Sequence, residues 1–251
     1  MKDQKTLAYV NMYALLGTIP ELCRIDEEAY ALIENVDMSV GLAVKNGPSA
    51  TLFFSHGECM MKKGLVYPKI KIPFSSSERF NGMIDGTVTP IPTYGIWHVS
   101  FLLKTFKKLT DILEGYLRPD PERLADDIFF EKSTTLMLGV IARAVCVLGN
   151  RDEISRVSAS YIVDGDIRLG IRNGISLTIR AKDHKLRVIR TPSEKIMSYM
   201  EFRSLRTARA LFDGELNAVA SIGTGEVTVG GMVSQVDNIN RILDRVAEYL
   251  A

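Results

Sequence analysis

The sequence repeats itself at an offset of about 127 residues, and this repeat limits the chain to folds with two similar halves. Residues 36–47, VDMSVGLAVKNG, match residues 163–174, VDGDIRLGIRNG, at an offset of 127 throughout. Both segments read as a strand that runs into an Asn-Gly turn, the strongest short hairpin signal. Three shorter matches follow at similar offsets. Asp85-Gly86 matches Asp213-Gly214 at an offset of 128, Leu16-Gly17 matches Leu148-Gly149 at 132, and residues 112–117 match 245–250 at 133. We interpret the repeat as a duplication of one α/β unit, with chance matching of glycine turns as the alternative.

The duplication predicts a domain at 1–118, a linker at 119–124 and a second domain at 125–251. Pro119 and Pro121 follow the closing helix of the first copy, and proline ends helices because it has no N–H to donate. The expected helices are 6–16, 20–33, 75–84 and 101–117 in the first copy and 133–148, 153–158 and 193–212 in the second. The expected strands after the opening helices are 38–44, 49–55 and 58–66, and 166–172, 176–181 and 185–189.

Residues 211–250 carry the clearest pattern. Leu216, Ala218 and Ala220 alternate with polar or small residues, which predicts a half-buried strand at 216–220. Glycines at 223 and 225 form a turn, and a second strand follows around 227–229. Apolar residues at helical spacing then predict a closing helix.

This stretch resembles the C-terminal half of the sterol carrier protein (SCP-2-like) lipid-binding family. The matching motifs are Leu211-Phe212-Asp213-Gly214-Glu215-Leu216 and Gly225-Glu226-Val227-Thr228-Val229-Gly230. The upstream residues 164–169, the Asn173-Gly174 turn and residues 177–179 fit the opening β-meander of the family. The resemblance covers roughly residues 130–251. It implies an α+β fold of two tandem sterol-carrier-like units, each a mostly antiparallel five-stranded sheet covered on one face by helices.

The first copy departs from this pattern after Asp85-Gly86. Pro90 and Pro92 stand where the second copy has its alanine-rich strand. Because proline cannot donate to a strand ladder, we expect an edge strand or a partly lost one. The next strand is shortened to about 96–101, which leaves open whether the first copy keeps a ligand cavity.

The resemblance implies an apolar tunnel between sheet and helices, and the apolar residues of the second copy are its candidate lining. Methionine and other unbranched apolar side chains suit an adaptable cavity, although they suit a filled core equally well. The candidate ligand-binding residues are Ile171, Leu177, Met197, Met200, Phe202, Leu205, Leu211, Phe212, Met232, Val236, Ile239 and Leu243.

Basic residues of the second copy fall on one predicted sheet face: Arg168, Arg172, Arg180, Lys182, Lys185, Arg187 and Arg190. Alternation places Ile167, Leu169 and Ile171 on the other face. A solvated sheet face is one interpretation, and attraction to an anionic surface or acidic partner is the other. No aromatic residues are interleaved with the bases, which argues against nucleic acid. Arg203, Arg206 and Arg209 of the helical middle could reach an anionic head group or simply face solvent.

The sequence contains no recognisable catalytic or metal-binding motif. His56, His98 and His184 have no ligand spacing, and the first and third fall at equivalent hairpin turns. Ser158, Ser160 and Ser221 lack a nucleophile elbow. The glycines at 223–231 are not followed by the Lys-Ser/Thr of a phosphate-binding loop. We therefore expect no cofactor, no metal and no enzymatic activity.

The three cysteines and the charge balance bear on location. Cys23, Cys59 and Cys146 form no CxxC pair, which suits a reducing cytoplasm rather than a disulfide framework. The net charge of +1 creates no global field towards nucleic acid or membrane. The first residues have no sustained apolar run and no small-residue cleavage signal, so we expect no secretory signal there. The apolar run 136–148 is interrupted by Arg143 and is predicted to be a buried helix, not a transmembrane segment.

These observations leave two main functional hypotheses. The first is non-enzymatic binding or transfer of an apolar or acyl-chain lipid in a hydrophobic cavity. The second is a structural or regulatory protein-interaction module with filled cores, and the chain could also act as a homodimer. The volume of the cavity separates the two hypotheses, because a core at ordinary packing density leaves no room for a lipid.

Overall fold

A computed structural model of the chain describes residues 2–189 and 193–250. The chain divides into two compact units, unit 1 (Met1–Leu136) and unit 2 (Met137–Ala251). The division falls within the long helix α7 (Asp127–Arg151). The predicted linker at 119–124 overlaps a short 3-10 helix, Pro121–Ala125, and the predicted domain limits stay a prediction.

Unit 1 opens with helices, continues with strands and closes with helices. Its α-helices are α1 (Gln4–Val10), α2 (Ile19–Ile25), α3 (Glu27–Ala31), α4 (Ser77–Ile84), α5 (Val99–Phe101) and α6 (Lys107–Leu117). Its strands are β1 (Asp37–Val44), β2 (Ser49–Ser55), β3 (Glu58–Lys63) and β4 (Ile70–Phe74). Shorter 3-10 and π-helical pieces lie at Asn11–Leu15, Leu16–Thr18, Ile96–His98 and Leu102–Phe106. Over the described residues the sheet order is β3-β2-β1-β4, with β4 parallel to β1 and the other pairs antiparallel.

The parallel pairing of β1 and β4 requires a crossover, because parallel strands cannot be joined by a tight hairpin. Residues 64–69 supply it across the sheet face that bears Ser39 and Thr51. The Thr51 hydroxyl accepts the Val66 N–H at 2.9 Å, and the Ser39 hydroxyl accepts the Lys69 N–H at 2.9 Å. The predicted strand 58–66 therefore ends at residue 63.

The fold prediction needs two corrections in unit 1. In the described residues its sheet has four strands, not five, because 87–95 contributes only a single bridge between Tyr94 and Lys71. The prolines at 90 and 92 remove donors from this segment, as the sequence indicated. The expected strand at 96–101 is helical instead, and it runs on into α6.

Unit 2 repeats this order of elements and adds a strand. After α7 come α8 (Glu153–Ser160), β5 (Gly165–Ile171), β6 (Ser176–Lys182), β7 (Lys185–Ile189) and β8 (Ile196–Phe202). They are followed by α9 (Leu205–Phe212), α10 (Ala218–Gly223), β9 (Val227–Gly231) and α11 (Val233–Leu250). In the part of the chain that the structure describes, the sheet order is β7-β6-β5-β8-β9, with β8 parallel to β5. The α+β prediction is confirmed.

Two predictions of local structure in unit 2 are wrong. The expected helix 193–212 is the strand β8 followed by α9, and Pro192 lies outside the described residues. Ser204 begins α9 because its hydroxyl accepts the Thr207 N–H at 3.1 Å. The expected strand 216–220 is replaced by α10, which Asn217 caps through the Ala220 N–H at 3.0 Å.

The elements recur at the offsets seen in the sequence. β2 and β6 begin at Ser49 and Ser176, an offset of 127, and α4 and α9 begin at Ser77 and Leu205, an offset of 128. The hairpin turns after β1 and β5 both place an asparagine, at 46 and 173, in the left-handed region (φ 57° and 58°). The units therefore share their strand order over four strands as well as their turn geometry.

Each unit also buries a tyrosine–aspartate pair at the matching place. In unit 1, Asp26 caps α3, and its carboxylate accepts the hydroxyl of Tyr116 on α6 at 2.7 Å. In unit 2, Asp152 caps α8, and its carboxylate accepts the hydroxyl of Tyr249 on α11 at 3.0 Å. The pair ties the closing helix of each unit to the helix that precedes its sheet.

The helix α7 is long and apolar enough to cross a membrane by length and composition. However, 78% of its most apolar window is buried in the protein. It has the character of a core helix, as the sequence analysis predicted for 136–148.

Candidate ligand site in unit 2

The helix-facing side of the unit 2 sheet is an apolar wall. Strand register places Leu177, Leu169, Met200 and Val229 in one row across β6, β5, β8 and β9. Ile171, Phe202 and Val227 form a second row across β5, β8 and β9. We call these two rows the apolar wall. Alternation explains it, because residues two apart in a strand lie on the same face.

Helices α9 and α11 cover the apolar wall. Phe212 of α9 packs edge-to-face on Phe202, with ring centroids 5.5 Å apart. On α11, Val236, Ile239 and Leu243 recur at helical spacing. Ile239 is buried, but Val236 and Leu243 are only half-buried, as are Leu205, Leu211 and Phe212 on α9. Five of the seven wall side chains are buried, so the half-buried apolar side chains are Leu177 and Val229 of the wall and those of the two helices.

The structure brings together most of the predicted site residues. Ile171, Leu177, Met200 and Phe202 lie on the wall, and six more lie on the covering helices: Leu205, Leu211, Phe212, Val236, Ile239 and Leu243. Leu169, Val227 and Val229 also lie in the apolar wall but were not among the predicted residues, although their alternation in the sequence marks the same face.

Met197 and Met232 do not join the others. Met197 is three residues from Met200, a spacing that puts two side chains on one face of a helix but on opposite faces of a strand. Because 196–202 is a strand, Met197 lies on the outer face and is 39% exposed. Met232 precedes α11 and is also exposed, and its backbone N–H donates to the Ser198 hydroxyl at 3.0 Å.

Part of the unit 2 interior is polar. The Ser198 hydroxyl donates to the side-chain carbonyl of Gln235 at 2.5 Å, and the Gln235 amide donates to the Val163 carbonyl at 2.9 Å. Ser198 and Gln235 are both completely buried. This network closes the end of the interior next to Ser198, so an apolar ligand would have to lie on the side of Phe202 and Val227.

The interior of unit 1 is filled by aromatic rings. Phe54 packs against Phe101 and Phe106, with centroids 5.5 and 6.4 Å away. Phe74 packs edge-to-face on Phe80 at 5.2 Å. The repeat places alanines, Ala181 and Ala208, at the positions of Phe54 and Phe80 in unit 2. The two units therefore fill equivalent space with different side chains.

The outer face of the unit 2 sheet carries the predicted basic residues that the structure describes, and acids pair with two of them. Arg180 makes a two-pronged ion pair with Asp166, both bonds at 2.7 Å, and Arg168 pairs with Glu201 at 2.7 Å. The Arg180 guanidinium is the main reason that the pKa of Asp166 lies below its usual range. Arg172 contacts the Thr228 hydroxyl. Arg190 lies outside the described residues. These two ion pairs offset two of the positive charges on this face.

An open groove of about 920 Å³ lies at one end of this outer face. Charged and apolar side chains line it together, with the Asp166–Arg180 pair in its wall beside Arg187, Lys195 and Met197. It lies on the opposite side of the sheet from the apolar wall, and its mixed lining does not suit an acyl chain.

The arginines considered for a head group are also engaged. Arg203 follows β8 and pairs with Glu226 at 2.8 Å, and Arg209 pairs with Asp213 at 2.6 Å. Glu226 also accepts the Thr207 hydroxyl at 2.7 Å, and this bond, followed by that from Arg203, lowers the pKa of Glu226. The contacts of Glu226 lie at the β8–α9 corner, and the Arg209–Asp213 pair lies at the end of α9.

Two of the histidines lie in hairpin turns, and the three cysteines lie within helices or a strand. His56 and His184 lie in left-handed turn positions (φ 47° and 56°), which confirms that they belong to hairpin turns. Cys23 and Cys146 are buried and Cys59 is half-buried. Among residues 2–189 and 193–250, no group of three or more His, Cys, Asp or Glu is placed to hold a metal ion.

Solved structures are similar to part of this chain. One is a UbiJ-SCP2 ubiquinone synthesis protein, with 17% identity and a TM-score of 0.34 over 46% of this chain and 91% of that one. Another is a conserved hypothetical protein from Thermus thermophilus, described as a possible sterol carrier protein. It has 16% identity and a TM-score of 0.32 over 44% of this chain and 83% of that one. No protein-family model and no curated protein matches the sequence.

Proposed function

We propose that unit 2 binds an apolar, acyl-chain type of ligand between the apolar wall and helices α9 and α11. The observation that carries this proposal is the incomplete burial of apolar side chains on both sides of that space. Leu177 and Val229 of the wall and Phe212, Val236 and Leu243 of the helices are all half-buried. A plain core would bury such side chains, since each one that leaves water gains roughly 1.5–3 kcal/mol.

Binding there needs no catalytic group. An acyl chain gains roughly 0.8 kcal/mol for each methylene that it buries, so about ten methylenes supply about 8 kcal/mol before the cost of association. The side chains of the wall and of the covering helices offer apolar surface and no constellation of acids, bases or nucleophiles. We therefore propose a binding or carrier role without catalysis, and a cytoplasmic location remains an expectation from the cysteines.

We assign unit 1 a structural role in this proposal. Phe54, Phe101 and Phe106 occupy the space beneath its sheet, and Phe80 is completely buried against Phe74. These packed rings also favour the second candidate function, a protein-interaction module with filled cores. That candidate would apply to the whole chain if the space over the apolar wall also closes in solution.

The test is binding of a fluorescent fatty acid, cis-parinaric acid, to the full chain and to Leu243→Gln. An amide in place of a half-buried leucine puts an unpaired polar group in the site, and we expect a loss of affinity of at least about tenfold. Val233→Gln is the matched control, because Val233 is on the same helix but is 79% exposed. Equal affinity of Leu243→Gln and Val233→Gln, or no binding by the wild type, would refute the proposed site.

A further inference from the structure

Unit 1 exposes a second apolar surface at the start of its closing helical segment. Tyr94, Ile96, Trp97, Val99 and Leu103 are between 41% and 68% exposed, and we call them the aromatic patch. Trp97 is the single tryptophan of the sequence, and its ring lies 5.9 Å from that of Tyr94. Large apolar side chains clustered in this way on a protein surface mark an interaction site.

The aromatic patch is held in place by the sheet and by the core. The Tyr94 carbonyl accepts the Lys71 N–H at 3.1 Å, and the Thr93 N–H donates to the Lys71 carbonyl at 2.9 Å. Gly95 has a φ of 72°, and a Cβ there would lie 2.0 Å from the Lys69 carbonyl oxygen, so only glycine allows this approach. The patch is therefore presented on a fixed backbone.

The helical segment 96–106 is apolar on two sides. Leu102 and Phe106 are buried in the unit 1 core, whereas Ile96, Val99 and Leu103 face out at spacings of three and four. A helix of an ordinary domain keeps polar residues on its outer side. Because this segment has apolar residues on both sides, its outer side offers apolar surface to a second apolar environment.

The positively charged residues near the aromatic patch indicate which kind of partner it would bind. No acidic residue occurs between Asp85 and Asp111, and Lys104, Lys107 and Lys108 fall in that interval. Lys107 pairs with Asp111 and Lys108 with Glu28, while Lys104, the neighbour of Leu103, is exposed. Tryptophan and tyrosine next to aliphatic residues and lysines is the composition of segments that lie in the head-group region of a bilayer.

We propose that the aromatic patch docks unit 1 onto the surface of an anionic lipid bilayer. Trp97 and Leu103 would insert between the lipids, and Lys104 would contact the phosphate head groups. The docking surface belongs to unit 1, so this proposal does not depend on the ligand site of unit 2.

The experiment uses Trp97 as its own probe in the full chain. Vesicles of phosphatidylcholine mixed with phosphatidylglycerol are expected to shift the Trp97 emission to shorter wavelength, and a brominated phospholipid is expected to quench it. Leu103→Glu should weaken binding by at least about tenfold, because a leucine leaves the interface and a charge replaces it. Lys104→Ala should weaken it by about fivefold on the anionic vesicles and not on phosphatidylcholine alone.

Ile128→Glu is the matched control, because Ile128 is as exposed (69%) as Leu103 (67%) but lies at the start of α7. Circular dichroism checks that each variant is folded. The proposal is overturned if vesicles leave the Trp97 emission unchanged, or if Leu103→Glu and Ile128→Glu bind equally well. A third result would also overturn it. If the Trp97 emission already lies at shorter wavelength without vesicles, and Leu103→Glu converts a dimer of the chain to a monomer, the patch contacts a second copy of the chain instead.

Discussion

Replacing the buried tyrosine of each unit by phenylalanine should cost unequal amounts of stability. In unit 1, Tyr116→Phe leaves the Asp26 carboxylate with the Ala29 N–H at 2.9 Å and Lys132 at 3.3 Å. A hydrogen bond to a charged group contributes roughly 1.5–3 kcal/mol, and few donors remain around Asp26. We expect the free energy of unfolding of unit 1 to fall by about 2 kcal/mol.

In unit 2, Tyr249→Phe leaves the Asp152 carboxylate with more hydrogen-bond donors than Tyr116→Phe leaves for Asp26. The Ser155 N–H and hydroxyl each donate to it at 2.9 Å, and the Arg245 guanidinium lies at 3.3 Å. The remaining donors compensate the carboxylate in part, so we expect a loss nearer to about 1 kcal/mol.

Hydrogen exchange measured by mass spectrometry resolves the two units, which a single unfolding curve of a two-unit chain does not. Tyr116→Phe should speed exchange in α3 and α6, and Tyr249→Phe should speed it less in α8 and α11. The exposed Tyr67→Phe and Tyr161→Phe are the controls for the two units. A larger effect of Tyr249→Phe, or an effect no greater than that of the controls, would refute the reasoning.

Three further predictions concern pH, backbone and ligand. Burial raises the pKa of Asp152, but bonds from Arg245, Ser155 and Tyr249 outweigh it and hold the pKa below its usual value. The resulting stability is present above about pH 4 and is lost as the pH falls through the lowered pKa. In Asp152→Asn the midpoint of unfolding should therefore fall less steeply as the pH is lowered below about 4. Gly231→Ala should destabilise unit 2 by more than about 1 kcal/mol, measured by hydrogen exchange. The reason is that Gly231 has a φ of +89° and that a Cβ there would lie 2.0 Å from the Met197 carbonyl oxygen. Gly225 has a φ of +78° with open space around it, so an equal loss of stability in Gly225→Ala would contradict the steric reason. Phe212→Ala should lower parinaric acid affinity by about tenfold through loss of wall contact, and unchanged affinity would remove Phe212 from the site.

Much of the fold could be predicted from the repeat and from glycine and asparagine turns. The turn at Asn173-Gly174 and the helix end at Asp213-Gly214 fall where the sequence puts them, because left-handed turn positions have a narrow choice of residues. The apolar face of β5 was likewise predictable, since strict alternation of Ile167, Leu169 and Ile171 fits a strand and no helix.

The strand β8 could not be predicted in the same way. Its sequence, IMSYMEF, places apolar residues at both period two and period three to four, so the pattern fits a strand and a helix. Pairing with β5 and β9, which are distant in sequence, selects the strand. Ser204 and Asn217 were available as helix-start signals and would have located α9 and α10. Because residues 196–202 were predicted as helix and are a strand, Met197 lies on the sheet face opposite to the one predicted for it.

Native mass spectrometry of the purified chain, compared with the same sample denatured and extracted into organic solvent, tests the central claim most directly. The account predicts a co-purifying mass in the range of a fatty acid, isoprenoid or acyl conjugate, lost on denaturation and reduced in Leu243→Gln. An apo mass that takes up nothing from mixed lipids would contradict it and would leave both units as filled structural modules.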